Sequence, residues 1–444
     1  MDLFYQKYLY RLNQIYHKYK EPAYRLYDRY KDCDFIYYIP FALLSLNVRI
    51  SHYFYRLKPG NSLPQADDSQ WYIDYARNLL AHFKIGLEMN DILYFGYNVL
   101  LAVLLAIFKD PHAIIIIQAI TAGLSVILVY KIAKILFNRL TAVLACYFFY
   151  DKYDITLWAM YILSDSFFIS LLLLCVYLLL KSFESEKRIY KILFAASALY
   201  MIVFRPAGII TIAFILVYIL LRMPGQKLLG FLKKYRLAIG GVLVAGLSAV
   251  IFLYAGHKLD PLITSMQFNA KKVLYNIYAR GWIYDKPSDY DMPYKPNYNI
   301  NILNSLILSF IINNWDHVLA LYGRRIIAFL GSWVWKTDVS SMKGIFNLLV
   351  NLIPTVLFLL GTYAAIANKL FRRASILWLL VLSVFVFCIV FFIDGMYRYK
   401  APGIPFIVII AAYGADIVIR RLIVVAKKYV GMRVWDKIGF KEKH

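Results

Sequence analysis

Two adjacent acids, Asp67 and Asp68, open the stretch DDSQWYIDYARNLL (67–80) in a chain that is mostly apolar. A carboxylate held beside a bound hydroxyl can take its proton, which is general-base work. A further acid, Asp165, stands in LSDSFF (163–168), just before an apolar run. Three cations are placed like the acids, at the ends of apolar runs: Arg205 in FRPAG (204–208), and Arg398 and Lys400 in MYRYKAPGIPF (396–406). Guanidinium groups grip phosphate through two parallel hydrogen bonds, so these cations suit a phosphorylated ligand. Tyr72 and Tyr397, beside the acid and base motifs, are candidates for contact with the same ligand. Each charge also has a plainer reading. Asp is a good helix N-cap, and its charge suits the positive end of a helix. Arg205 could snorkel to an interface, and Arg398 could pair with Asp394 on the surface.

The elements that position these residues are hydrophobic helices. Of 444 residues, 61% are hydrophobic and 17% are charged, and the mean hydropathy is +0.58. A soluble chain carries about 25% charged residues. Apolar runs recur from residue 35 to residue 419, and a span needs about 20 such residues. The fold class expected is an all-α polytopic membrane protein with about ten transmembrane helices, plus juxtamembrane helices in the first outer loop.

A net charge of +24 would suit nucleic acid, but the bases sit in short loops between apolar runs, as the positive-inside rule describes. The stretch GYNVLLAVLLAIF (96–108) is too short to cross comfortably. With it at the interface, the loops 131–139, 181–191 and 222–236 carry three, four and five bases, and all fall on the cytoplasmic side. The opposite loop 151–165 carries three acids and one lysine. Spans are then expected at about 112–130, 140–158, 166–180, 190–204, 207–221, 238–255, 344–367, 375–393 and 402–419, after a first one from residue 35.

Five regions follow. Residues 1–34 form a basic amphipathic segment on the cytoplasmic leaflet, and 35–256 a catalytic transmembrane module with its first outer loop at 56–111. Residues 257–340 form an outer loop with an amphipathic helix in 315–335, 341–419 the C-terminal spans, and 420–444 a basic cytoplasmic tail. The segment from Ser69 places Trp71, Tyr72, Tyr75, Ala76 and Leu79 at helical spacing, as a helix lying on the membrane surface does. The aromatics of 275–335, among them Tyr275, Tyr278, Trp282, Tyr284, Trp333 and Trp335, suit an interfacial belt or a surface for sugar rings. Cys33, Cys146, Cys175 and Cys388 show no metal spacing, and the seven histidines form no HxxxH or HExxH pattern.

In order along the chain, DSQWYIDYARNL (68–79), GYNVLLAVLLAIF, QAITAGLSVILVYKIAKILFNR, LSDSFF, FRPAG and MYRYKAPGIPF resemble the landmarks of the C-superfamily membrane glycosyltransferases. That group includes the aminoarabinose transferases and the protein O-mannosyltransferases. The match departs at Asn98, where the family has a proline. The resemblance implies transfer of a sugar from a polyprenyl-phosphate donor to an acceptor hydroxyl on the outer face of the cytoplasmic membrane, with inversion. It maps the catalytic acid onto Asp68, with Asp67 as fallback, and the second acid onto Asp165. Arg205, Arg398 and Lys400 are then expected to hold the lipid phosphate. No cofactor or metal is expected. The acceptor is a glycan, lipid or protein, and both termini are expected in the cytoplasm. Two other readings remain. A polysaccharide polymerase or ligase would rest on bases such as Arg280, Arg324 and Arg325 in the later loop, and a lipid-linked glycan transporter would need charges within its spans.

Overall fold

The computed structural model describes residues 28–430, apart from 31, 57–65, 67, 84–92, 261–263, 265–266, 268–273, 275–278, 284–290, 331–338 and 392–395. Among the described residues there are helices and no strands. Five helices are long and apolar enough to cross a membrane: Pro111–Leu136, Ser164–Glu184, Met342–Ala367, Phe371–Cys388 and Arg398–Ala426. Shorter apolar helices accompany them. The all-α polytopic class follows.

The first helix, α1 (Phe35–Arg56), runs beyond Arg49, as expected. Next come α2 (Ser69–His82) and α3 (Phe95–Phe108). At 14 residues and 1.5 Å per residue, α3 is about 21 Å long, short of a hydrocarbon core of about 30 Å. Helix α4 (Pro111–Leu136) starts on Asp110, whose side chain accepts from the His112 amide, with Pro111 in the first turn. Helix α5 (Arg139–Phe149) starts on Asn138, which accepts from the Thr141 amide.

The continuous span expected at 140–158 is not there. Helix α5 ends at Phe149, and a separate six-residue helix, α6 (Tyr153–Trp158), follows. Arg49 of α1 donates to the Tyr150 carbonyl at 2.8 Å, satisfying an end group of α5. Apolar periodicity alone did not reveal this stop. Helices α7 (Ser164–Glu184), α8 (Arg188–Phe204) and α9 (Pro206–Arg222) complete this half.

The basic stretch 222–236, expected as a loop, is mostly helical. It forms the first part of α10 (Gly225–Ala255), which bends at Tyr235. Lys, Leu and Gln are good helix formers, and a run of bases does not end a helix. Two helices, α11 (Leu306–Asn313) and α12 (Trp315–Leu330), lie in the later loop, and α12 is the expected amphipathic helix. Then follow α13 (Met342–Ala367), α14 (Phe371–Phe385) with a π-helical extension Val386–Phe391, α15 (Met396–Lys400) and α16 (Ile404–Val430).

The core is one cluster of buried side chains from both halves. Helix α4 is its axis, packed against α1, α5 and α7. Helices α13 and α16 approach closely at Gly361 and Gly414, where any Cβ would run into the facing backbone. Such small-residue contacts are how membrane helices pack tightly.

A carboxylate–arginine site at one end of the bundle

Helix α2 is held by its aromatic face. Tyr72, Ile73, Tyr75 and Ala76 are buried, whereas Trp71 is exposed. The Tyr72 ring meets Tyr97 of α3 edge-on at 4.9 Å, and Tyr97 meets Phe204 of α8 at 5.6 Å. Each such pair adds about 0.5–1.5 kcal/mol beyond its buried area. Tyr200 of α8 donates to the Gly96 carbonyl at 2.8 Å. The start of α2, and with it Asp68, is thereby fixed against α3 and α8. Burial pushes the Tyr72 phenol well above its usual pKa, so it stays protonated and can only donate or accept as a hydroxyl.

Asp68 stands at the N-cap position of α2 without making a side-chain cap. Its carboxylate accepts instead from Arg398 Nη1 at 2.7 Å. Asp165 lies in the first turn of α7, after the extended Leu163, and is likewise no cap. Its two oxygens accept from Arg205 Nη1 at 2.6 Å and Arg398 Nε at 2.8 Å. The helix-cap readings of both acids therefore fail. Arg205 sits at the break between α8 and α9 in an extended conformation, with Pro206 opening α9. Its guanidinium lies 5.3 Å from the Phe168 ring and 5.5 Å from the Tyr399 ring. It is buried, not snorkelling.

One arginine thus joins two acids from helices far apart in sequence. The side chains of Asp165, Arg205, Arg398 and Asp68 are 0%, 2%, 14% and 50% exposed, so the chain of ion pairs runs from the core to the surface. Two acids and two arginines cancel in charge, which offsets much of the cost of burying them. Beside Arg205 and Tyr399, a small void with room for about one water is lined by Phe168, Thr211, Ser383 and Phe387, between α7, α9 and α14.

Lys400 is placed elsewhere. Two residues on from Arg398, it is about 200° around the helix. Its Nζ lies 5.8 Å from the Phe329 ring, in the electrostatic field of Asp154 and Lys152 rather than of the Asp165 cluster. Asp67 and Asp394 lie outside the described residues, as do residues 1–27 and the tail from 431; Tyr397 is on α15, with its side chain outside them. Of the belt aromatics, Tyr275, Tyr278, Tyr284, Trp333 and Trp335 also fall outside. The bases of the polymerase reading, Arg280, Arg324 and Arg325, are not partners of Asp68 or Asp165. Sequence reasoning missed Tyr97, Tyr399 and Asp154. Asp154 counted only as loop charge, although its half-buried position on α6 pushes its pKa up, against the pull of Lys400 and Lys152. Among the described residues, no group of three or more His, Cys, Asp or Glu side chains converges as a metal site.

Fold and site together define a polytopic helical membrane protein with an acid–arginine centre at one end of its bundle. Residues 95–253 match the family of dolichyl-phosphate-mannose-protein mannosyltransferases. That match bears out the resemblance to membrane glycosyltransferases that use polyprenyl-phosphate sugars. Among solved structures, the chain is similar to the archaeal oligosaccharyltransferase AglB from Archaeoglobus fulgidus, in complex with an inhibitory peptide and a dolichol-phosphate. The identity is 13% and the TM-score 0.49, over 93% of this chain and 53% of that one. This chain therefore spans about half the length of that protein. No curated protein matches it.

Proposed function

We propose that this chain transfers a sugar from a polyprenyl-phosphate donor to an acceptor hydroxyl at the outer face of the cytoplasmic membrane. The observation that carries this reading is Arg398, which ties the half-exposed Asp68 to the fully buried Asp165. Asp165 is held by two arginines at short range and is poorly placed to take up a proton. Asp68 has one cation partner and an open side, so it is the acid that can meet a hydroxyl.

In the proposed reaction the acceptor oxygen attacks the anomeric carbon while Asp68 takes its proton. The bond from that carbon to the phosphate oxygen breaks, its electron pair stays on the lipid phosphate, and the anomeric configuration inverts. General-base help is worth about 10²- to 10⁴-fold. Arg398 offers positive charge near the leaving phosphate and orients Asp68, while Arg205 holds Asp165 and so Arg398. Sugar and acceptor remain open within this class.

The test is Asp68→Asn in the purified full chain, with dolichyl-phosphate-mannose as donor and dolichyl phosphate release as readout. The substitution should keep donor binding and reduce kcat at least 10²-fold. Full activity in Asp68→Asn with loss in Asp67→Asn would move the base to Asp67. Full activity in both would sink the reading. The reaction needs no metal as written, so dialysis against EDTA should leave the rate unchanged; a loss restored by Mg²⁺ or Mn²⁺ would count against it.

A further inference from the structure

The deep end of the ion-pair chain carries one unmet hydrogen-bond donor. Arg205 gives Nη1 to Asp165 at 2.6 Å, but its Nε has no hydrogen-bond partner among the described residues, although the side chain is only 2% exposed. An unmet N–H on a buried charged group is costly, and native structures rarely leave one. The small void described above is lined by this same side chain. Its lining also includes two buried hydroxyls, Thr211 of α9 and Ser383 of α14. Thr211 Oγ1 donates to the Ala207 carbonyl at 2.7 Å, and Ser383 Oγ donates to the Leu380 carbonyl at 2.8 Å. Each hydroxyl has then given its one hydrogen and keeps lone pairs for accepting.

A molecule that fits this void must be about the size of one water, accept once and donate twice. Water does both, and about three hydrogen bonds are typical of a buried one. Resting on the role of Arg205 proposed above, we propose that the void holds one ordered water, which accepts from Arg205 Nε and donates to Thr211 Oγ1 and Ser383 Oγ. Thr211 and Ser383 are then positioning residues. They touch no substrate and act through the water on the direction of a guanidinium. That group is planar, and the Phe168 and Tyr399 rings, at 5.3 Å and 5.5 Å, restrain its tilt. Bonds at both Nη1 and Nε restrain its rotation in the plane. The direction passes to Asp165, whose other oxygen takes Arg398 Nε at 2.8 Å, and through Arg398 to Asp68. An apolar void stays dry, and the charged donor is what makes this one wet.

The test begins with a crystal structure of the full chain at a resolution that shows ordered waters. Density is expected for one oxygen about 2.7–3.2 Å from Arg205 Nε, within reach of both hydroxyls. A dry void, or an Nε bonded to a protein atom, overturns the inference whatever the chain catalyses. The second part compares wild type with Thr211→Val, Ser383→Ala, their double variant, and Thr211→Ser, which keeps the hydroxyl. Each is checked for folding by its melting temperature. With dolichyl-phosphate-mannose as donor, the double variant should lower kcat about 3- to 10-fold, the effect of weakened neutral hydrogen bonds, with KM unchanged. Thr211→Ser should retain the wild-type kcat. A double variant with wild-type kcat overturns the positioning role, and so does a Thr211→Ser that falls as far as Thr211→Val. If the water is present while Asp68→Asn and Asp67→Asn both keep full activity, the water site stands and the proposed function fails.

Discussion

Among the described residues two carboxylates are fully buried, Asp165 and Asp416, and they are satisfied in different ways. Asp416 on α16 accepts from Asn138 Nδ2 at 2.6 Å, Thr141 Oγ1 at 2.8 Å and Arg420 Nε at 2.7 Å. Two of those donors are neutral and belong to the start of α5, so the group fastens α16 to α5. Its network reaches the surface only at a cation, Arg420, and not at a second acid. Asp165 is held by two charged donors, and one of them, Arg398, continues to a half-exposed acid. Asp416 thus offers no carboxylate at the surface. The Asp165 network keeps one end open, where a substrate can enter it.

The largest effect should come from Asp165→Ala. It leaves Arg205 buried and without its carboxylate, and breaking a buried pair from one side costs about 3–5 kcal/mol. The melting temperature should fall and activity vanish together. A stable, active Asp165→Ala protein would show that the cluster is dispensable. Asp68→Asn should come next, with kcat down about 10²- to 10⁴-fold and little change in melting, because a half-exposed ion pair contributes only about 0–1 kcal/mol. Asp416→Asn sharpens the contrast. It should destabilise by about 1–3 kcal/mol while kcat and donor affinity hold. A fall in kcat at constant stability would place Asp416 in the reaction and dissolve the comparison.

Much of this site was readable from residue types at the ends of apolar runs. Asp68, Asp165, Arg205 and Arg398 stood out because membrane helices rarely end in such charges without reason, and four of these fragments fall in one structural cluster. What could not be read was the pairing. Arg398 lies 330 residues from Asp68 and 233 from Asp165, and a periodic pattern carries no information about which distant ends meet. Lys400 lies apart from Arg398 for a local reason, since an i, i+2 pair on a helix points to opposite sides. The break after Phe149 is marked in the sequence by Asp151, Lys152 and Asp154, and the expected span ran through them because Ile155, Leu157, Trp158 and Met160 resume the apolar pattern. The carbonyl at that end is met by Arg49, a contact that local sequence does not show.

The smallest effect tests how Asp68 is held. Tyr97 is fully buried, and its hydroxyl has no hydrogen-bond partner among the described residues. Removing an unsatisfied buried polar group while keeping the ring is neutral or slightly stabilising. Tyr97→Phe should therefore melt within about 0.5 kcal/mol of wild type and retain its kcat. Tyr97→Leu removes the edge-on contacts to Tyr72 and Phe204. It should loosen α2 and lower kcat, with donor affinity kept, because the general base moves while Asp165 and its arginines stay. If Tyr97→Phe alone abolishes turnover, the hydroxyl touches substrate or a proton in transit, and the aromatic brace is part of the chemistry.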